Sequence, residues 1–429
     1  MPVTQAGRTE LSGADWFLFS VEQMMRATGQ GEHAGLTVLR LGPGFEIDAL
    51  RSAASRLAGA SPIAAARLRK PILGVPRWQW GAETRTDFPV GEASGTWKNA
   101  GDELLNAPSE APVKFVVLPE ADGRATVLVR WRHGLLDGKG VELFLAEIAR
   151  LADGKAESTR ENSWGVSAPR TQGWRAFARE AGKFKDHFYA LSKLGIRSLG
   201  GAEARAGAAR FCVEEFNAEE TARITARAEN VTHGVFQMGW FLAATMRMHL
   251  AVLERRGETA ESFQSGCAVQ QRKRGSRHPI WQNQVSQLFF HLLPAELADH
   301  ASAARRLNEQ FGEQTRQRLD AAFAAMTRLF RRLPARLYLR MLLRNSGGHL
   351  TSFFFSHTGE FLPECKTFCG APVEDGWHIP SVSQPPGTGV FFSNRGGKLA
   401  ATISWREGSV SDEELKLMRA KMREDLLGI

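Results

Sequence analysis

The chain has 429 residues, of which 43% are hydrophobic and 24% charged, a composition typical of globular rather than disordered proteins. A chain of this length is expected to build more than one core. The net charge of +9 favours anionic partners such as a phosphorylated cofactor, an acidic carrier protein or a membrane surface. Without a zinc-finger, helix-turn-helix or ribonucleoprotein motif, nucleic acid is not an expected partner. The alternative explanation of the charge is surplus arginine on solvated helix faces.

Two segments of the chain have the position or the hydropathy at which a targeting or membrane segment could occur. Residues 1–20 carry charged side chains where a signal peptide needs an apolar region. The most apolar long stretch, residues 234–253, is interrupted by Arg247 and His249 and is therefore predicted to be a buried helix. These features predict a cytoplasmic protein.

The four cysteines are too few for a disulfide framework in a chain of this length. Cys365 and Cys369 form a CxxxC string, but no second pair of thiols accompanies it. Free thiols in a reducing compartment are therefore favoured over a zinc site, and no metal site is expected.

The first half of the chain alternates strand and helix patterns. The pattern predicts helices with apolar stripes around residues 47–57 and 141–148, strands at 77–80, 113–118 and 125–132, and a surface linker at 152–169. An Asp-Gly turn at residues 122–123 predicts that the second and third of these strands form a hairpin.

A long helical pattern at residues 174–194 and a Gly/Ala-rich stretch lead into the second half. Asn217 is a predicted N-cap, with Glu220 completing a capping box. The pattern then predicts strands at 209–216, 265–270, 285–293, 352–357, 389–393 and 399–405, and helices at 235–253, 300–344 and around 415–426. We therefore predict two mixed α/β domains, residues 1–160 and 209–429, connected by residues 161–208.

The motif that indicates chemistry is HxxxDG, formed by His133, Asp137 and Gly138. It follows the apolar strand pattern at residues 125–132 and precedes an amphipathic helix. A histidine at a strand end is held in place by the strand, and its ordinary pKa of about 6.5 suits a general base. The motif is short enough to occur by chance, but its position between strand and helix favours a functional role.

The sequence resembles the CoA-dependent acyltransferase superfamily, which includes chloramphenicol acetyltransferase, plant BAHD acyltransferases, nonribosomal-peptide condensation domains and wax ester synthase/diacylglycerol acyltransferases. HxxxDG is the signature of that superfamily. Weaker similarities occur in matching order along the chain, at residues 48–63, 230–235, 268–272, 282–286 and 354–359. The resemblance therefore covers the whole chain.

The resemblance implies two chloramphenicol-acetyltransferase-like domains in a V, with His133 at the middle of a tunnel between them. His133 would be the general base. Asp137 would be structural and pair with Arg272, because an ionised carboxylate directly on His133 would raise its pKa and favour the wrong form. Gly138 would allow the backbone to approach closely where a side chain would block the tunnel.

Three further residues are candidates for the walls of that tunnel. Ser356 and Asn283 could donate hydrogen bonds to the oxyanion, and His357 could line the tunnel or be an ordinary strand histidine. No cofactor is expected to be bound permanently. An acyl-CoA or a phosphopantetheinyl carrier thioester would be the co-substrate, and a small-molecule alcohol or amine the acceptor, as in lipid or secondary-metabolite synthesis.

The sequence also departs from the named branches. Arg132 stands where many condensation domains and wax synthases have a second histidine, and residues 374–378 only partly match the BAHD motif DFGWG. The subfamily is therefore unassigned. The alternative function is a catalytically inactive, condensation-like domain that binds an acyl carrier protein or a lipid surface.

One basic pattern lies outside these motifs. Arginines recur every fourth residue beside an apolar series, and Pro334 must interrupt or start the helix there. The arginines are Arg332, Arg336, Arg340 and Arg344. This stripe is either an amphipathic helix packed on the second domain or a surface that meets anionic lipid or an acidic carrier protein, which would place the protein peripherally at a membrane.

Overall fold

The computed structural model describes residues 7–71, 74–81, 87–154, 174–201, 207–272 and 281–429. The strands of these residues are β1 (Gly7–Glu10), β2 (Ala34–Leu41), β3 (Arg67–Arg69), β4 (Arg77–Trp80), β5 (Val90–Glu92), β6 (Val113–Pro119), β7 (Ala125–Arg132), β8 (Ala209–Phe216), β9 (Phe263–Gln270), β10 (Val285–Leu292), β11 (Phe354–Glu360), β12 (Thr367–Phe368), β13 (Ala371–Pro380), β14 (Thr388–Arg395) and β15 (Lys398–Arg406). The helices are α1 (Gly13–Ala27), α2 (Ile47–Ala60), α3 (Trp97–Asn106), α4 (Gly138–Ala152), α5 (Trp174–Ser192), α6 (Ala218–Thr232), α7 (Met238–Arg255), α8 (His300–Gln317), α9 (Leu319–Phe330), α10 (Ala335–Asn345) and α11 (Asp412–Leu427).

The first lobe is built on a six-stranded sheet with the order β12-β13-β2-β7-β6-β5. Strand β7 lies inside this sheet, antiparallel to β2 and β6. Its sequence ATVLVRWR is rich in β-branched and apolar residues, and seven of the eight are buried because both faces of the sheet are covered. The helix α4 packs with α2 on one face, and α3 covers the other.

The second lobe is built on a four-stranded sheet with the order β11-β14-β15-β8. The apolar residues of this sheet join α7 and α11 in a second large core. Strands β9 and β10 form a separate antiparallel pair beside α8 and α9. The helix α11 presents Met418, Met422 and Leu426 to the core, a stripe with helical spacing.

One part of the chain crosses from the second lobe into the first. Strands β12 and β13 follow β11 of the second-lobe sheet in sequence, yet β13 pairs antiparallel with β2 in the sheet of the first lobe. The predicted domain of residues 209–429 therefore contributes two strands to the other lobe. The boundaries at residues 160 and 208 stay a prediction, and most of the linker expected at 152–169 lies outside the described residues.

A third, smaller sheet of order β1-β4-β3 lies at the edge of the first lobe. Its inner side chains include Leu68 and Trp78, which pack against the first core. The predicted strand at residues 77–80 is confirmed as the middle strand of this sheet.

Several local predictions are confirmed. The strands over 125–132 and 209–216 have the predicted bounds, and Asn217 and Glu220 form the predicted capping box. The helices expected over 300–344 are three, and Pro334 precedes the last of them. None of the helices in the described part of the chain has the length and hydropathy needed to span a bilayer.

Candidate active site

His133 is the first residue after β7, and its main chain is held on both sides. Its N–H donates to the carbonyl of His33 at 3.0 Å. Its own carbonyl accepts a hydrogen bond from the Asn283 side-chain amide at 3.0 Å. The main chain of His133 is thus fixed between the residue that precedes β2 and the segment that leads into β10.

The imidazole of His133 is held between two other rings. The ring of His33 lies 4.8 Å from it, and the indole of Trp131 lies 5.2 Å away in an edge-on arrangement. Burial lowers the pKa of His133 below 6.5, although hydrogen bonding to its own carbonyl and the nearby Asp137 carboxylate act in the opposite direction. The ring is therefore neutral near pH 7, the form that a general base requires. Nδ1 is buried and makes no hydrogen bond to another residue in the described part of the chain, so Nε2 is the nitrogen that we assign to proton transfer.

Among the described residues, the hydrogen bonds of the Asp137 carboxylate go to groups other than His133. Its two carboxylate oxygens receive a bidentate pair of hydrogen bonds from the Arg272 guanidinium, at 2.8 and 2.9 Å. The same carboxylate accepts the main-chain N–H groups of Gly140, as the N-cap of α4, and of Gln284. The structure thus brings together the two residues that were expected to pair, and the pair joins the start of α4 to the second lobe.

The close backbone approach expected at Gly138 is found at Gly140 instead. A methyl group added to Gly140 would lie 1.9 Å from the carbonyl oxygen of Trp281, which no packing allows. At Gly138 the same methyl would lie 3.6 Å from Cδ2 of His378, an ordinary contact. Gly138 therefore faces His378 and Thr358, whereas Gly140 lets α4 touch the chain of the second lobe.

A second histidine, His378 of β13, belongs to a buried chain of hydrogen bonds beside this site. The indole N–H of Trp131 donates to the Thr37 hydroxyl at 3.0 Å, and that hydroxyl lies 2.9 Å from Nδ1 of His378. Because an indole can only donate, the hydroxyl accepts from Trp131. Nε2 of His378 then donates to Glu142 at 3.2 Å. This chain ties β7, β2, β13 and α4 together at the candidate site.

Glu142 is the charged end of that chain. Burial would raise the pKa of its carboxyl, but the hydrogen bond from His378 and the charges of His378 and Lys139 lower the pKa on balance. The ammonium group of Lys139 lies 3.0 Å from the carboxylate. The glutamate on α4 is therefore ionised and compensated near neutral pH.

The oxyanion and tunnel candidates are placed differently from one another. Ser356 lies on β11 directly before His357, so its side chain is on the face of the strand opposite to that of His357, and a β-bulge between His357 and Glu360 separates it from Thr358, which lies near Gly138. Asn283 is occupied in holding the His133 carbonyl. His357 is on the opposite face, where its ring packs against Phe241 at 4.7 Å and near Phe392. His357 is thus a packing residue of the second core and not a member of the cluster around His133.

Arg132, which takes the place of a second motif histidine, is engaged elsewhere. Its guanidinium pairs with the buried carboxylate of Glu22 on α1 at 2.8 Å. The histidine that does adjoin His133 is His33, whose pKa is held well below 6.5 by burial and by the proximity of His133. Sequence analysis missed His33, His378 and Glu142. The signal that could have found His33 is its place directly before an apolar strand run, since strand ends often position functional groups.

The comparisons with known proteins concern the fold. No protein-family model matches the chain, and no curated protein matches it. Among solved structures, trichothecene 15-O-acetyltransferase TRI3 from Fusarium sporotrichioides is similar, with a TM-score of 0.73 and 13% identity, over 98% of this chain and 95% of that one. The first condensation domain of the calcium-dependent antibiotic synthetase gives a TM-score of 0.71 and 14% identity, over 98% and 96% of the two chains.

This chain has the two-lobed chloramphenicol-acetyltransferase-like fold. The epimerization domain of tyrocidine synthetase B also shares that fold, with a TM-score of 0.59, 12% identity and coverage of 100% and 97%. The predicted fold class is therefore confirmed along the whole length. At these identities the likeness shows the architecture alone.

Proposed function

We propose that the protein is an acyltransferase that moves an acyl group from a CoA or carrier-protein thioester to a hydroxyl or amine acceptor, with His133 as the general base. The observation that carries the proposal is the neutral imidazole at the end of β7, with the motif aspartate diverted to Arg272. This division keeps the base uncharged while the nearby carboxylate is compensated. The fold of the similar acetyltransferase and condensation domain supports the same class of reaction.

In the proposed reaction, Nε2 of His133 takes the proton of the acceptor O–H or N–H while the oxygen or nitrogen attacks the thioester carbonyl carbon. A tetrahedral oxyanion forms, and Ser356 is the proposed donor to it because its hydroxyl lies on the face of β11 opposite to the packed ring of His357. The carbon–sulfur bond then breaks. The imidazolium returns the proton to the thiolate, which leaves as a free thiol beside the ester or amide product.

The positions of Asp137 and Asn283 support a structural role in this reaction. Both hold the segment around His133 through hydrogen bonds to main-chain groups of α4, of Gln284 or of His133 itself. A base held through its backbone keeps its place while the ring changes protonation state. This is the pre-organisation that proton transfer requires.

The proposal can be tested without knowing the substrates. Purified protein would be incubated with a small-molecule extract and a panel of acyl-CoA and acyl-carrier thioesters, with free thiol and new acylated products measured by mass spectrometry. We expect an acceptor-dependent thiol release that produces an ester or amide and is lost in His133→Gln. Wild-type protein that binds a carrier protein yet releases no thiol from any thioester would favour the inactive, carrier-binding alternative.

A further inference from the structure

The outer face of the small sheet is unusually cationic. Residues of a strand alternate between two faces, and the face opposite the buried Leu68 and Trp78 carries arginines on all three strands. They are Arg8 on β1, Arg67 and Arg69 on β3, and Arg77 on β4. The three-stranded sheet thus presents four guanidinium groups on one side.

Two of these arginines stand directly opposite each other. Arg69 of β3 is the register partner of Arg77 of β4. Like charges at directly opposed positions of a sheet are destabilising. On its other side Arg77 stands opposite Glu10 of β1, but that carboxylate is paired with Arg331 at 2.8 Å. Within the described part of the chain, Arg8, Arg69 and Arg77 have no salt bridge to a carboxylate. An anion bound at this face would relieve that repulsion.

A cavity of about 310 Å³ lies at the same place, lined by Arg8, Arg69, Lys70, Arg77 and the neighbouring Pro71 and Gln79. Burial lowers the pKa of Lys70, so the cavity wall partly withdraws that ammonium group from water. Lys70 donates to the carbonyls of Gly74 and Arg332. The cavity is thus an open recess with a basic lining.

The recess is continuous with α10. Arg332, whose carbonyl Lys70 contacts at 3.3 Å, belongs to the turn that leads into this helix. On α10 itself, Arg336, Arg340 and Arg344 are exposed, and the described residues offer them no carboxylate partner. The predicted arginine stripe is therefore exposed along α10, and Lys70 links the turn before this helix to the small sheet.

The exposed side of α10 also carries large apolar side chains. Leu337 is 47% exposed and Met341 is 41% exposed, one turn apart and beside the arginines. The inner side of the same helix packs through Leu339 against Val21 and Met25 of α1. The helix is thus apolar on two sides, and among the described residues only the inner side is covered.

We propose that the recess of the small sheet and the outer side of α10 form one docking surface for an anionic phospholipid membrane. Leu337 and Met341 would enter the interface between headgroups and acyl chains, the arginines of α10 would lie among the phosphates, and the recess would take one phosphate headgroup. The combination of exposed apolar residues with flanking arginines matches interfacial helices. This inference goes beyond the acyl transfer proposed above and does not depend on it.

The test is flotation of the full-length protein with vesicles of equal parts phosphatidylglycerol and phosphatidylcholine, compared with vesicles of phosphatidylcholine alone. We expect binding to the anionic vesicles only, and a decline with added salt as the screening length falls to about 8–10 Å. Each basic residue at a membrane is worth about fivefold in binding, so Arg336→Gln with Arg340→Gln should bind about 30-fold more weakly. The recess pair Arg69→Gln and Arg77→Gln should give a loss of similar size.

The matched control is Arg223→Gln with Arg316→Gln, which removes the same charge from exposed positions of α6 and α8. We expect this control to bind as the wild type does, and Leu337→Ser with Met341→Ser to weaken binding at all salt concentrations. Relief of the opposed charges should leave the melting temperature of the Arg69/Arg77 variant unchanged or higher, which separates lost binding from lost folding. Equal losses in the control pair, no binding by the wild type, or binding to an acidic carrier protein without vesicle binding would overturn the proposal.

Discussion

His133 and His357 are both partly buried histidines, one in each lobe, and burial lowers the pKa of both rings. Their surroundings differ. His133 lies among polar groups that fix its main chain, with an ion pair close by, whereas His357 is packed between the aromatic rings of Phe241 and Phe392. A lowered pKa is thus common to a candidate base and to a core histidine, and the polar groups and the ion pair beside His133 distinguish the two.

The largest expected effect follows from removing the base. His133→Ala should slow acyl transfer by about 10²–10⁴-fold. The melting temperature should stay close to that of the wild type, because the hydrogen bonds that hold this residue use its main-chain N–H and carbonyl. Rate assays on an active thioester and thermal unfolding of the same preparation would check both parts. A variant with normal turnover would remove His133 from the mechanism.

The second effect concerns stability. Asp137→Ala leaves the Arg272 charge uncompensated and removes the N-cap of α4, so we expect the free energy of unfolding to fall by ~3–5 kcal/mol, with activity falling too. Arg272→Ala should resemble it, and the double variant should lose less than the sum of the two. Asp137→Asn keeps the acceptor for Gly140 and is the milder control. Strict additivity in denaturant unfolding would show that the two residues do not act as a pair.

A third prediction concerns the ring that adjoins the base. His33→Ala would expose the His133 imidazole to water and raise its pKa towards 6.5, because burial is the largest cause of the lowered value. The acidic limb of the rate profile should then move to higher pH. His33→Phe keeps the ring contact and the burial, so its limb should stay in place. Coincident profiles for all three proteins would mean that His33 does not influence the base.

The smallest effect is expected at His357. Burial lowers its pKa to about 4, so the unfolded chain takes up a proton before the folded protein does, and stability declines as pH falls from 6.5 towards 4. His357→Phe should make that decline shallower in melting experiments over this range, and turnover near pH 7 should change little. A large loss of turnover in His357→Phe would return this residue to the list of tunnel candidates.

The features of the fold and of the candidate site that the sequence predicts are those whose interactions are local in the chain. Strand β7, the capping box of Asn217 and the start of α10 after Pro334 follow from local patterns, and each is found where it was predicted. The superfamily motif also located His133. Local rules are sufficient for such features because their causes lie within a few residues.

The environment of His133 was less accessible. His33 directly precedes β2 and Thr37 lies on it, whereas His378 lies on β13, a strand from the second half of the chain that pairs in the first-lobe sheet. Strand β13 carries Glu374 and Asp375 and lacks a clear apolar alternation. The register between strands that are distant in sequence is set by the packing of the whole sheet, and a local sequence pattern does not predict it. The steric demand at Gly140 was hidden for the same reason, since its neighbour Trp281 is remote in sequence.

The central claim, that a neutral His133 is the general base, is tested most directly by the pH dependence of kcat/KM. The measurement uses an active thioester, the wild type and His133→Ala over the same pH range. For the wild type we predict a constant rate near pH 7–8 and a tenfold fall per pH unit below a pKa that is itself lower than 6.5, because protonation removes the base. The residual rate of His133→Ala should lack this limb. An identical acidic limb in the variant would contradict the account.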